Sequence, residues 1–349
     1  LGGKYTLLVL SIPLAVVAIN AVRSLSRLSQ SVAITLFVSL IAISFFYSRS
    51  YEVPASGDYI VRRDHTATVV TSGSGRERQL LVNGVLITEL NPLTKFMAHL
   101  PLGFHKGAPS ETLVICFGMG TTYRSLASWD INVTAVELAP SVLDAFEEYH
   151  SDARDQRSNA KGNMVVDDGR RYLERTDKKY DVITIDPPPP VESAGSSLLY
   201  SDEFYRLVKK RLKFNGILQQ WFPRVSGEIL QAGERTITKN FPYVLLYKGW
   251  GGYGWHYLAS MSPIDTLRAD EIRQKMPERA KLDLLEWSEE ENIDEYIQKI
   301  VGQPLPVTEF PDGSSPLITD DRPYNEYFWY RRWKHVVNQW LIRRFGAWD

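Results

Sequence analysis

Cysteine is almost absent: Cys116 is the single one in 349 residues. A disulfide framework and a multi-cysteine zinc site are excluded, no metal is expected, and a reducing compartment fits. An excess of charge is also missing. With 40 basic and 41 acidic side chains, the formal net charge is -1. No overall basic field exists for bulk nucleic-acid binding, so nucleic acid is not expected as a partner. No repeat or low-complexity segment occurs beyond the prolines at 187–190. The first fifty residues contain Lys4, Arg23, Arg27 and Arg49 and no acid, which leaves the rest of the chain net acidic. The length allows one large or two smaller domains with a buried core.

What the leader has is hydrophobic length. Residues 5–22 and 31–47 are uncharged apolar runs, each near the roughly 17–25 residues a bilayer-spanning helix needs. A signal peptide followed by a buried core helix is the competing reading; two such runs in tandem favour a transmembrane hairpin over 1–50. The expectation is a multi-pass protein of an inner or plasma membrane, in contact with lipid. Arg23 and Arg27 point to a cytoplasmic link, while Arg49, Arg62 and Arg63 pull the other way, so topology stays open, as do further spans ahead of Leu1.

Over 51–104, YIVRR, TATVVT and RQLLVNGVLIT alternate or run apolar with β-branched residues between turn signals, which predicts a small antiparallel β unit, with a helical stretch at TKFMAHL. Residues 105–262 then alternate strands and helices, which predicts a mostly parallel sheet covered on both faces. Ser201 opens SDEFYRLVKKRL as a helix cap. Residues 263–349 read as a helical, largely acidic extension. Its last part, from 327, carries tryptophans at helical spacing with arginines close by. It reads equally as a helix packed on the body and as an interfacial helix on anionic lipid.

Ligands of open parallel sheets bind beyond the carboxyl ends of the strands. Gly118 and Gly120, Glu137, Asp168 and Asp186 all fall at such ends. Each alone is weak, since an acid after a strand is more often a helix cap; four in succession are specific. Glu137 stands at the spacing from the glycine turn at which an acid meets a ribose. Asp168 suits the exocyclic amine of adenine. The turn is not a full GxGxxG, which disfavours a pyrophosphate and favours a nucleoside sulfonium such as S-adenosylmethionine or its decarboxylated form. Asp167 reads equally as a helix cap for the segment after Gly169 and as a ligand contact. Cys116 reads as core, His99 as a satisfied structural histidine, and Asp320, Asp321 and Arg322 as a closing salt-bridged turn. The prolines after Asp186 read as a ligand gate rather than a linker.

LTKFMAHLPLGFH, VICFGMGTTYRSL, VTAVELAPSVLDAF, VVDDGRRYL, YDVITIDPPPP and SSLLYSDEFYRLVKKRLKFNGIL together resemble the spermidine/spermine synthase (polyamine aminopropyltransferase) family over roughly 65–260. The hydrophobic leader and PLITDDRPYNEYF resemble its membrane-fused branch. The resemblance implies an α/β, Rossmann-like class I fold of S-adenosylmethionine-dependent transferases, with an antiparallel β unit ahead of it. It implies decarboxylated S-adenosylmethionine or S-adenosylmethionine as co-substrate, held by Gly118, Gly120, Glu137, Asp167, Asp168 and Gly169. It implies a small-molecule amine as acceptor and Asp186 as general base, on the cytoplasmic side where such nucleosides are made. A homodimer stays open. Three departures stand against the family pattern. Met119 replaces an aspartate of the glycine turn, Pro189 replaces a second acid, and Leu93, Thr94 and Lys95 stand where the family has other polar residues. An acid-poor pocket suits an acceptor less cationic than putrescine. Methyl transfer and a silent nucleoside-binding module remain the alternatives.

Overall fold

The computed structural model describes residues 3–23, 26–47, 54, 57–187, 191–225, 227–290, 292–302, 304, 305, 307, 315–326 and 333. The chain divides into two compact units, Leu1–Thr88 and Glu89–Asp349.

The first unit holds two helices, α1 (Gly3–Val22) and α2 (Arg27–Tyr47), whose Tyr5 and Phe45 rings meet edge-on at 6.4 Å. A four-stranded sheet follows in the order β1 (Tyr59–Arg63), β2 (Thr68–Ser72), β3 (Gln79–Val82), β4 (Val85–Glu89). β1 pairs antiparallel with β2, and β2 with β3, matching the β unit read from alternation and turn residues.

The expectation of a transmembrane hairpin, and with it a membrane location, is corrected here. Among the described residues, no helix is long and apolar enough to cross a membrane. α1 and α2 are 20 and 21 residues long, with polar positions at Thr6, Ser11 and Asn20 in one and at Ser29, Gln30, Ser31 and Ser39 in the other.

The second unit opens with α3 (Leu93–Phe104), every residue of which is buried. This helix packs on elements of the second unit. Next come β5 (Glu111–Ile115), α4 (Thr121–Ala127), β6 (Asn132–Glu137), α5 (Pro140–Asp144), α6 (Phe146–Tyr149), α7 (Ala153–Ser158), β7 (Gly162–Val166), α8 (Gly169–Arg175) and β8 (Tyr180–Ile185). α9 (Asp202–Arg211), β9 (Leu212–Phe222), α10 (Gly227–Asn240), β10 (Tyr243–Lys248) and β11 (Trp255–Ser260) complete the sheet. Its order is β10-β11-β9-β8-β5-β6-β7, parallel from β9 to β7, with β11 antiparallel to both its neighbours. Strands β5 and β8 are buried almost throughout, as parallel strands covered on both faces must be. Ser201 caps α9 by accepting from the Phe204 N–H at 3.2 Å.

Three short helices, α11 (Ala269–Lys275), α12 (Glu278–Leu285) and α13 (Ile293–Val301), form the extension. The tryptophan-rich stretch from 327 onward lies outside the described residues save Trp333.

Candidate active site

Strand order reverses at β5. The chain runs from β5 through β6 to β7 on one side and through β8 to β9 on the other, which opens a crevice beyond the carboxyl ends. Ladder bonds align these ends: Cys116 N–H donates to the Val136 carbonyl at 3.0 Å, and Asp186 N–H to the Ile115 carbonyl at 3.2 Å.

The turn after β5 is tight. Cys116 stands at φ 69°, Gly118 at 56° and Gly120 at 80°. A Cβ on Gly120 would lie 2.4 Å from the Phe146 ring and 2.7 Å from that of Phe117, so glycine there serves conformation and packing at once. Glu137 braces the same turn. Its Oε2 accepts from the Phe117 N–H at 2.9 Å and its Oε1 from the Ala139 N–H at 3.0 Å. Burial pushes this carboxyl up, and the backbone N–H groups of Ala139 and Phe117 pull against the shift.

The acids after β7 diverge. Asp168 caps α8, its Oδ1 accepting from the Arg171 N–H at 2.8 Å. Asp167 turns toward the basic surface of α8, with Arg175 at 3.4 Å and Arg171 at 3.9 Å. Gly169 has a packing reason for being glycine: a Cβ would sit 2.3 Å from Ile115 Cγ2.

Asp186 follows β8 directly. It is partly open to the crevice, and among the described residues its carboxyl has no hydrogen bond or ion pair. Burial pushes it up to about 7. The Cys116 thiol is pushed well above its usual range, by burial first and then by the charges of Glu137, Asp186 and Asp168. Such a thiol is a poor nucleophile. Cys116 packs against the hydrophobic core that includes Ile115 and Ile185, as its reading as core expects. Gly118, Gly120, Glu137, Asp168 and Asp186 all lie at the carboxyl ends of successive strands, whereas Asp167 faces Arg175.

Sequence reasoning also missed what surrounds Lys95. Its buried ammonium donates to the Asp283 carbonyl at 2.6 Å, Asp283 Oδ1 at 3.0 Å and Glu286 Oε2 at 2.7 Å, and lies 4.3 Å from the centre of the Trp287 ring. His99 accepts from the Trp129 indole N–H at Nδ1 (2.9 Å), so Nε2 carries the proton donated to Asp283 Oδ2 at 2.9 Å. Burial pushes His99 down, consistent with a neutral structural histidine. Among the described residues, no group of three His, Cys, Asp or Glu side chains could hold a metal ion.

A seven-stranded sheet of this order, a glycine turn after its first strand and acids at the next strand ends define a Rossmann-like transferase of the class I S-adenosylmethionine type, here preceded by an antiparallel sheet. Residues 91–248 match the spermine/spermidine synthase domain. Polyamine aminopropyltransferase 2 of Hyperthermus butylicus is 31% identical over 232 residues, covering 62% of this chain and 72% of that one. The polyamine aminopropyltransferase of Methanocaldococcus jannaschii is 31% identical over 193 residues, covering 52% and 64%. The crystal structure of spermidine synthase from Thermotoga maritima superposes with a TM-score of 0.51 at 21% identity, covering 63% of this chain and 75% of that one, a likeness of fold. The chain belongs to the spermine/spermidine synthase family and is a transferase.

Proposed function

We propose that the chain transfers an aminopropyl group from decarboxylated S-adenosylmethionine to an amine, with Asp186 as general base. Supporting this, relatives that share its family are called polyamine aminopropyltransferases. One observation carries the base: the Asp186 carboxyl is free of partners among the described residues and is raised by burial to about 7. A base of that strength is half ionised near neutral pH and can take a proton from an amine. Gly118 and Gly120 let the backbone approach a nucleoside, Glu137 faces the ribose, and the cap residue Asp168 lies toward the adenine. Asp186 orients the amine and takes its proton as nitrogen bonds to the carbon beside the sulfonium. The carbon–sulfur electron pair stays on a neutral thioether, so no acid is needed for departure.

The acceptor is less cationic than putrescine. Supporting this, Met119 is an apolar side chain only 3% exposed beside the glycine turn, and Lys95 is fully committed to Asp283 and Glu286. A polycation needs several carboxylates to replace its hydration.

The test is turnover by the full chain with decarboxylated S-adenosylmethionine and a panel of mono- and diamines. Methylthioadenosine is the expected nucleoside product, with monoamines preferred. Asp186→Asn should lower kcat/KM about 10²–10⁴-fold with nucleoside binding intact. S-adenosylhomocysteine formed from S-adenosylmethionine would mean methyl transfer instead, and no product with any acceptor would mean a binding module.

A further inference from the structure

On β11, His256 is 0% exposed, and its Nε2 has no hydrogen-bond partner among the described residues. The other ring nitrogen is held. The Gln219 amide donates to His256 Nδ1 at 3.1 Å, so the ring proton sits on Nε2. Gln219 Oε1 lies 2.5 Å from the Thr184 hydroxyl, which also reaches the Met97 carbonyl of α3 at 2.7 Å. Burial pushes His256 down to about 3, which keeps the ring neutral at pH 7. A buried donor left unmet is costly to fold, so an N–H kept here points to a group that arrives from outside.

Register brings this nitrogen to the same side of the sheet as Asp186. Strand alternation puts Asp186 on the face of Thr184, two residues earlier. Thr184 and Gln219 share that face through their contact, and so do Gln219 and His256. Ile185 pairs with Gln220, and Trp221 pairs with His256. Asp186, Trp221 and His256 therefore form one row across three strands at the carboxyl edge. With strands about 4.8 Å apart, the two ends of the row stand about 10 Å apart. Trp221, between them, is pinned by its indole N–H, which donates to the Tyr253 carbonyl at 3.4 Å. The start of α3 and the loop between β10 and β11 meet over this edge, since a Cβ on Gly249 would lie 3.0 Å from Leu93 Cδ1.

We propose that His256 is a specificity-determining residue for the acceptor, its Nε2–H donating to a hydroxyl oxygen at the far end of an amine whose nitrogen faces Asp186. Side chains stand roughly perpendicular to a sheet, so the row's length carries over to the groups above it. Subtracting a hydrogen bond of about 2.9 Å at each end from about 10 Å leaves about 4 Å, which two or three carbons between nitrogen and oxygen fill. The substrate class is a short amino alcohol. A second ammonium would set a donor against a donor, and a methyl would leave Nε2 unmet. This role for His256 rests on aminopropyl transfer with Asp186 receiving the amine.

The test compares methylthioadenosine release by the full chain with aminopropanol, butylamine and diaminopropane, which differ in the far group: hydroxyl, methyl or ammonium. The kcat/KM for aminopropanol should exceed each of the others about tenfold, the worth of one hydrogen bond. His256→Phe should erase that preference by slowing aminopropanol alone. His256→Gln, which offers an amide N–H near the same place, should keep most of it. A wild type that treats the three alike, or a preference untouched by His256→Phe, overturns the proposal. A second readout needs neither turnover nor a folded Phe variant. In chain isotope-labelled at histidine, aminopropanol added with methylthioadenosine should move the His256 Nε2 resonance, assigned by its loss in His256→Gln, and butylamine should not. Equal responses to the two amines also overturn it. No methylthioadenosine from any amine would instead defeat the proposed reaction, with the imidazole resonance still deciding for His256.

Discussion

Two clusters of buried charge in the second unit behave in opposite ways. Around Lys95, every donor finds an acceptor. The ammonium reaches three oxygens, the His99 tautomer is fixed by Trp129, and Asp283 also accepts from Ser125 at 2.6 Å. Arg124 binds Asp152 at 2.8 and 2.9 Å and extends to Glu286. Burial alone would raise Asp283, yet the His99 hydrogen bond and the Lys95 charge hold it well below the usual carboxylate range. The Asp186 carboxyl, among the described residues, is unpaired, and burial acts on it unopposed. A satisfied buried network is structural material, whereas a buried acid left without partners is kept for something that binds. The same physics of burial thus separates the brace that docks α12 on α3 and α4 from the proposed base Asp186.

The largest effect should come from breaking the brace. Asp283→Ala takes one of three acceptors from the Lys95 ammonium and leaves the His99 N–H and the Ser125 hydroxyl without theirs, and removing one partner of a buried ion pair costs about 3–5 kcal/mol. Denaturant unfolding of the full chain should show that loss, and a change under about 1 kcal/mol would erase the distinction between the two clusters.

Next comes the response of stability to pH, in which Asp186 should act against the usual trend for carboxylates. Its folded value of about 7 lies above the unfolded 3.8. Between those values the unfolded chain releases a proton that the folded chain keeps, so stability falls as pH rises, by about 1.4 kcal/mol per pH unit at most. Below pH 4 and above pH 7 the contribution is flat. Asp186→Asn should remove that falling limb in thermal unfolding between pH 4 and 7 and leave Asp283 to govern the acid end. An identical pH profile in the variant would mean that Asp186 is not desolvated.

Much of the site could be read from the chain because a parallel sheet brings its carboxyl ends to one edge. Glu137, Asp168 and Asp186 were visible as acids closing successive strands, and Ser201 as a cap ahead of an amphipathic run. What escaped depends on tertiary partners. Lys95 meets an acceptor 188 residues away, so no local pattern distinguishes it from a surface lysine. Asp167 and Asp168 are neighbours with the same side chain, and only the direction of α8 decides which caps it and which faces Arg175. The solitude of His256 Nε2 among the described residues follows from packing beneath α3 and has no signature in sequence. The leader is where the sequence reading failed: residues 5–22 and 31–47 are uncharged apolar runs, yet among the described residues no helix is long and apolar enough to cross a membrane.

The smallest effect sharpens the comparison at its boundary, where a pair is made but not buried deeply. Asp320 holds Arg170 through two contacts, at 2.7 and 2.6 Å, and accepts from Ser201 Oγ at 2.7 Å, linking the 315–326 segment to the first turns of α8 and α9. Its side chain is 34% exposed, so water screens the pair and the two-point geometry recovers only part of the loss. Asp320→Asn should therefore cost about 0.5–1 kcal/mol in denaturant unfolding, several times less than Asp283→Ala. Raising salt should narrow the gap between wild type and Asp320→Asn while leaving that for Asp283→Ala nearly unchanged, because only exposed charges are screened over such distances. Equal salt sensitivity in both variants would mean that burial does not set the worth of these pairs.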